Sequence, residues 1–416
     1  MSVQLIIILY HGARSGTGFI AGGIADRFGI KWPLIAGIVL YTAAVGLISL
    51  LDSLAPIVAL RIPQGAGVAI LFTLGPALVA RAFGPARRGA ALGVTLSAIG
   101  AGAFVGTLGG GYLSEEFGWP AIFWARIPIG AALLVAAVTW LRGGLARPVP
   151  GSRSGRFDLP GSVLLFATLF ILILALSFAR VDGWLSALPL SLFSITVVLG
   201  LGFARGKKSG RFTIFPRGLT AFSGFKSGAS SHLLLTLGAF VMWFLFPFYV
   251  ADVMGRSGLI LGVLLALMAA ANFAGSAIAG WLADRIGDRR ITFVGAAITA
   301  GGLVLAGTAG SSPTMGAVVF ATAVLGFGFG IHQAAVYSLT LRGTPSEHIG
   351  ATSAALSVSQ TIGTVLSISL MTTLLNWQQS TNGGSFIEAY RFSYFAAAGI
   401  AMLAGVVVLK IRVTRP

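Results

Sequence analysis

The chain has 416 residues, 56% hydrophobic and 9% charged, with a mean hydropathy of +0.92. Soluble domains carry about 25% charged residues, so a soluble enzyme, a disordered chain and a coiled coil are excluded. The net charge of +17 sits in short gaps between apolar runs, which points to the positive-inside bias of membrane proteins rather than to nucleic acid.

A helix crossing the ~30 Å hydrocarbon core needs about 20 apolar residues. Thirteen stretches qualify: 3–24, 33–51, 55–80, 88–113, 121–142, 159–179, 185–204, 230–251, 257–281, 291–310, 314–341, 348–375 and 389–410. An open sheet cannot satisfy its backbone in lipid, so the fold class is an all-α polytopic membrane protein. Of the 28 basic residues, 22 fall in one set of loops and 4 in the opposite set; this puts the C-terminus in the cytoplasm and, with thirteen crossings, the N-terminus outside. Residues 1–10 lack a basic segment, and no cleavage site follows, so the first span is not read as a signal peptide. The 58 glycines suit closely packed membrane helices. With no Cys and four scattered His, no metal site, cofactor site or nucleophilic relay assembles, and no enzymatic activity is expected.

In chain order, span 3–24 carries His11 and Arg14 three residues apart, on one helical face. They form either a relay or a polar packing pair. The loop that follows reads GGIADRFGIKWPL at 22–34, and the loop after span 257–281 reads GWLADRIGDRRIT at 280–292. The shared G-x-x-A-D-R-x-G aligns Asp26 with Asp284 and Gly29 with Gly287, which marks an internal duplication of the kind common in transporters. Asp26 is either a solvated loop acid beside Arg27 or a gating residue, whose pseudo-symmetric partner end is the start of span 348–375, near Ser346 to Gly350; for Asp284 that end is the stretch Arg87 to Gly89. Span 55–80 holds Arg61, either snorkelling to the interface or functional, with Gln64 one turn on. Asn272, His332, Gln333 and Gln360 are candidates either for lining a cavity or for hydrogen-bonded packing. The run GFGFG at 326–330 suits close helix contact. His232 and His348 fall at span ends and are expected to be bystanders. None of the eleven acids lies mid-span, which leaves His11 as the nearest group that titrates around neutral pH.

These motifs together resemble the fourteen-helix drug:proton antiporter branch of the major facilitator superfamily. The loop at 22–31 is similar to that family's G-x-L-A-D-R-x-G-R-K through Gly22, Asp26, Arg27, Gly29 and Lys31. The second copy supplies Gly280, Asp284, Arg285 and Gly287. RIPQGAG at 61–67 is similar to R-x-x-Q-G-x-G. Gly102, Gly106, Gly110 and Gly111 match the antiporter glycine motif, with Thr107 in place of its proline. FGWPAIFWARIPIG at 117–130 is similar to W-R-x-x-F-x-x-N-x-P-x-G, with Pro120 and Arg126 replacing the Arg and Asn.

The resemblance implies a major facilitator fold with three regions: an N-terminal bundle at 1–142, two inserted helices and a basic loop at 143–228, and a six-helix bundle at 229–416. It implies gating by the loop motifs and a proton or conformational relay at Arg61, Gln64, His11 and Arg14. The expected function is proton-coupled efflux of amphipathic small molecules by alternating access, by a monomer in the plasma (inner) membrane, with the lipid bilayer and protons as its other partners and no nucleic acid. The alternatives are export of a specific metabolite or lipid, or an inactive N-terminally truncated fragment. In the branch a further helix precedes span 3–24. Its absence leads to the expectation that Gly12, Gly16 and Gly18 face lipid and that Arg14 lies near hydrocarbon.

Overall fold

The apolar runs become helices and the polar gaps become their ends. The computed structural model describes residues 2–83, 87–141, 158–212, 223–310, 314–342, 344–345, 348–381 and 385–409. The described residues form α1 (Ser2–Phe28), α2 (Lys31–Ile48), α3 (Leu54–Ala82), α4 (Arg88–Phe117), α5 (Pro120–Trp124), α6 (Arg126–Trp140), α7 (Leu159–Asp182) and α8 (Ala187–Lys208). They continue with α9 (Ser223–Ala239), α10 (Val241–Phe248), a π-helical turn (Tyr249–Val253), α11 (Gly258–Ile286), α12 (Asp288–Ala309), α13 (Met315–Arg342), α14 (Ile349–Thr381) and α15 (Phe386–Leu409). Part of the expected basic loops, with Arg142, Arg147, Arg153, Arg156, Arg217 and the tail from Lys410, lies outside the described residues.

Twelve spans among the described residues are long and apolar enough to cross a membrane. The thirteenth helix, α1, has the length at 27 residues but carries His11 and Arg14 in its middle. Two spans are broken. Pro128 lacks an N–H and its ring crowds the carbonyl of residue 124, and the helix divides there into α5 and α6. Pro247 acts in the same way within α10, which then opens into the π turn. The span expected at 230–251 begins earlier, at Ser223; its first turns are too polar to register as apolar sequence.

The chain divides into two units. One comprises residues 1–82, 113–225 and 343–361; the other comprises 83–112, 226–342 and 362–416. In the first unit, α3 lies against α1 and α2, and α7 lies against α1 and α8. The N-terminus of α7 is capped by Asp158, whose carboxylate accepts from Gly161 N at 2.8 Å. In the second, α13 lies against α11 and α12, and α15 against α12 and α10. Its core is aromatic: Tyr390 lies between Tyr249 and Tyr394, with ring centroids 4.7 and 4.2 Å away.

The expectation that the glycine face of α1 meets lipid is overturned. A Cβ on Gly12 would meet the Phe170 ring at 3.0 Å, one on Gly16 would collide with Phe166, and one on Gly18 would meet Thr73 and Val358. Phe166 and Phe170 stack on each other at 5.6 Å, so α7 presents two rings that fill the glycine notch of α1. Arg14 is also accommodated: its guanidinium lies over Phe72 at 4.9 Å and donates to Gln360 Oε1 at 3.4 Å.

Candidate functional site

The first motif copy ends α1 against the start of α14. Gly22 is the crossing point, where a Cβ would sit 2.5 Å from the Gly350 carbonyl oxygen. One turn on, the buried Asp26 carboxylate accepts from Gly350 N at 2.8 Å and Ala351 N at 3.0 Å. These N–H groups open α14 and have no partner within the helix, and the helix dipole favours an anion there. Arg81, from the end of α3, completes the set with an ion pair to Asp26 and a 3.4 Å bond to Ala25 O. Gly29 then turns the chain at φ +93°, a backbone that side chains resist. Arg27 lies over Phe28 at 5.4 Å, and Lys31 donates to Val138 O at 3.0 Å.

The second copy repeats the backbone. A Cβ on Gly280 would sit 2.7 Å from Gly89 O and 2.8 Å from Gly93 Cα, at the start of α4, and Gly287 has φ +102°. Arg285 stacks on Trp281 at 3.7 Å. The Asp284 side chain lies outside the described residues. Asp288, at the start of α12, pairs with Arg342 at 3.0 Å.

A cavity of about 260 Å³ opens within the first unit. Its polar lining is Tyr10 and His11 of α1, Tyr41 of α2, Arg61 and Gln64 of α3, and Arg126 of α6, above Ile6 and Val68. Arg61 donates to Gln64 Oε1 at 2.9 Å, and Arg126 lines the same cavity with Tyr41. Both guanidiniums lie over the buried Phe123 ring, at 5.4 and 5.5 Å. The structure thus brings His11, Arg61 and Gln64 together and directs Arg14 elsewhere, to Gln360. Arg126, read in the sequence only as a departure from a motif, is the residue that completes the site.

His332 does not line this cavity. It is fully buried in the second unit, where Ser231 donates to Ala404 O at 2.8 Å and accepts from His332 Nε2 at 2.9 Å. His232, expected to be a bystander, is fully buried too: its ring stacks on His332 at 6.1 Å and meets Tyr337 edge-on at 5.5 Å. It lies nine residues into α9, a depth of about 13 Å at 1.5 Å per residue, and the late apolar onset of the span hid this. Gln333 is buried, and Asn272 lies beside Gly100. The GFGFG glycines do allow close contact: Gly326 faces Met268 O and Gly330 faces Asn272 O. Gly102, Gly106, Gly110 and Gly111 are different, because a Cβ on any of them would find no neighbour within 4 Å among the described residues. Thr107 among them bonds back to Ala103 O at 2.8 Å.

The family model described as Major Facilitator Superfamily matches residues 1–368 and, separately, 228–416; the second match falls on the half with the second motif copy. The chain is 26% identical over 368 residues to the tetracenomycin C resistance and export protein of Streptomyces glaucescens, covering 88% of this chain and 68% of that protein. It is 25% identical over 407 residues to the riboflavin transporter RibZ of Clostridioides difficile strain 630, covering 96% and 87%. The solved structure of the human organic anion transporter MFSD10 matches with a TM-score of 0.70 at 13% identity, over 97% of this chain and 83% of that one, a likeness of fold.

Proposed function

As the chain belongs to the major facilitator superfamily of multi-pass membrane transporters, we propose that it exports amphipathic small molecules in exchange for protons, by alternating access. The observation that carries this reading is the Asp26 carboxylate held on two N–H groups in the first turn of α14, 324 and 325 residues away in the chain. A contact between one helix end and another helix start can be made in one conformation and lost in the other. It then biases the population between them, as alternating access requires. Arg81 fixes the carboxylate in place for the closed state. The name of the Streptomyces relative, a resistance and export protein, supports outward transport. His11, in the cavity with Arg61 and Gln64, is the group we assign to proton exchange.

In this reading the halves 1–142 and 229–416 are the duplicated bundles, with 143–228 inserted, and the monomer sits in the plasma membrane with its C-terminus inside. A reporter active only in the cytoplasm, fused after Gly210 or after Pro416, gives signal at both positions; silence at both in a correctly inserted protein contradicts the topology.

The function is tested in proteoliposomes with a proton gradient and a fluorescent amphipathic dye. Wild-type protein moves the dye in a gradient-dependent way, and collapse of the gradient with an ionophore stops it. Dye flux indifferent to the ionophore removes the proton from the mechanism, and no flux removes export of such compounds.

A further inference from the structure

The cavity of the first unit has an unusual charge balance. Arg61 and Arg126 both line it, and among the described residues its lining includes no Asp or Glu. Two like charges drawn out of water repel, and the part-buried site screens them less than bulk water does. The fold nevertheless holds them together, each guanidinium over the Phe123 ring. The other polar groups add donors. Gln64 spends its carbonyl oxygen on Arg61, which leaves its amide N–H groups available. His11 Nδ1 and Arg61 Nε are buried without a hydrogen-bond partner, and buried polar groups normally have one. A site with two fixed cations, spare donors and no acid in its lining is complementary to an anion, and the planar guanidinium fork fits a carboxylate in particular.

We propose that this cavity is an anion-binding subsite that takes the carboxylate of an aromatic organic acid, with the acid's ring against Tyr10, Tyr41 and the apolar floor of Ile6 and Val68. At about 260 Å³ it is at or below the lower bound of the ~300–1,000 Å³ typical of drug-sized sites, so it receives the acidic end of a molecule or a one- to two-ring acid, not a large polycycle. The assignment rests on the export reading and narrows it: the exported compounds are organic acids. Arg126 provides the selectivity, because the resemblance places an uncharged Asn at that position.

The test uses the purified full chain in nanodiscs and three probes of nearly equal shape: 1-naphthoate, 1-naphthamide and 1-naphthylmethylammonium. Equilibrium binding is expected to favour naphthoate over both others by at least tenfold. Arg126→Gln is expected to lower naphthoate affinity at least tenfold, while Arg126→Lys restores part of it. Equal binding of naphthamide overturns the proposal without any variant, so a misfolded Arg126→Gln protein does not shield it. Inorganic phosphate or chloride competing at the same concentration as naphthoate also overturns it, by showing an inorganic-anion site. A parallel vesicle assay separates the two claims. Flux of a neutral dye with no naphthoate binding defeats the anion site and leaves export standing. Naphthoate binding with no flux of naphthoate or dye defeats export.

Discussion

At the ends of α1 and α11 the same backbone occurs twice. Gly29 and Gly287 both turn at positive φ, +93° and +102°, and their N–H groups bond Ala25 O and Ala283 O at 3.0 and 3.1 Å. Gly22 and Gly280, seven residues earlier, both lie against the backbone at the start of a partner helix. The charges around this shared frame differ. In the first copy Arg81 is drawn onto Asp26, and the residue after Gly29 is Ile30, fully buried. In the second, the residue after Gly287 is Asp288, and it pairs with Arg342. The Arg81 side chain is 8% exposed and that of Arg342 is 31% exposed. The helix ends make the same steric demand in both copies, and of the two described ion pairs the one at Asp26 holds the drier cation.

This difference sets the order of expected effects. Asp26→Asn is the largest. It leaves Arg81 buried opposite an amide, and breaking a buried pair in this way costs about 3–5 kcal/mol. The account predicts at least a tenfold loss of dye flux in vesicles, at expression levels that still permit purification. Unchanged flux would mean that the two copies are equivalent ornaments of the same turn. Next come the crossing glycines. Gly22→Ala and Gly280→Ala each force a Cβ onto backbone atoms, at about 1–3 kcal/mol, and thermal unfolding should show comparable losses for both. Gly102→Ala, which meets open space, should be neutral or should gain up to ~1 kcal/mol from helix propensity. A large gap between Gly22→Ala and Gly280→Ala would break the claim of a shared frame. Asp288→Asn is expected to be the smallest: Asp288 is buried, but its partner Arg342 is nearly one-third exposed, so water still solvates the cation when the pair is broken. A shift in melting temperature as large as that of Asp26→Asn would reverse the comparison.

Much of the frame was legible in the sequence, because hydropathy and charge act locally. The spans, the repeat and the two turn glycines all follow from residues read in order. The helix start reached by Asp26 was expected from the family resemblance, and the repeat only carries that expectation over to Asp284. Contacts between distant helices were not legible. Nothing in the sequence near Gly12 and Gly16 signals that Phe166 and Phe170 fill their notch. Arg81 carries no mark that separates it from the other loop cations. His232 was misplaced because the polar run from Ser223 to His232 hides the first turns of α9. Arg126 was noticed as an exception to a motif, and only its place over the same Phe123 ring as Arg61 shows what the exception does.

The central claim is that the Asp26 contact opens and closes as the protein works. The chain has no native cysteine, so spin labels can be placed uniquely at Phe28, at the end of α1, and His348, just before α14. Pulsed dipolar spectroscopy on the reconstituted protein should show two distance populations, a shorter one with the contact made and a longer one with it lost. Asp26→Asn should move most of the signal into the longer population. An identical distance distribution in the wild type and in Asp26→Asn would contradict the account and leave the carboxylate as a static helix cap.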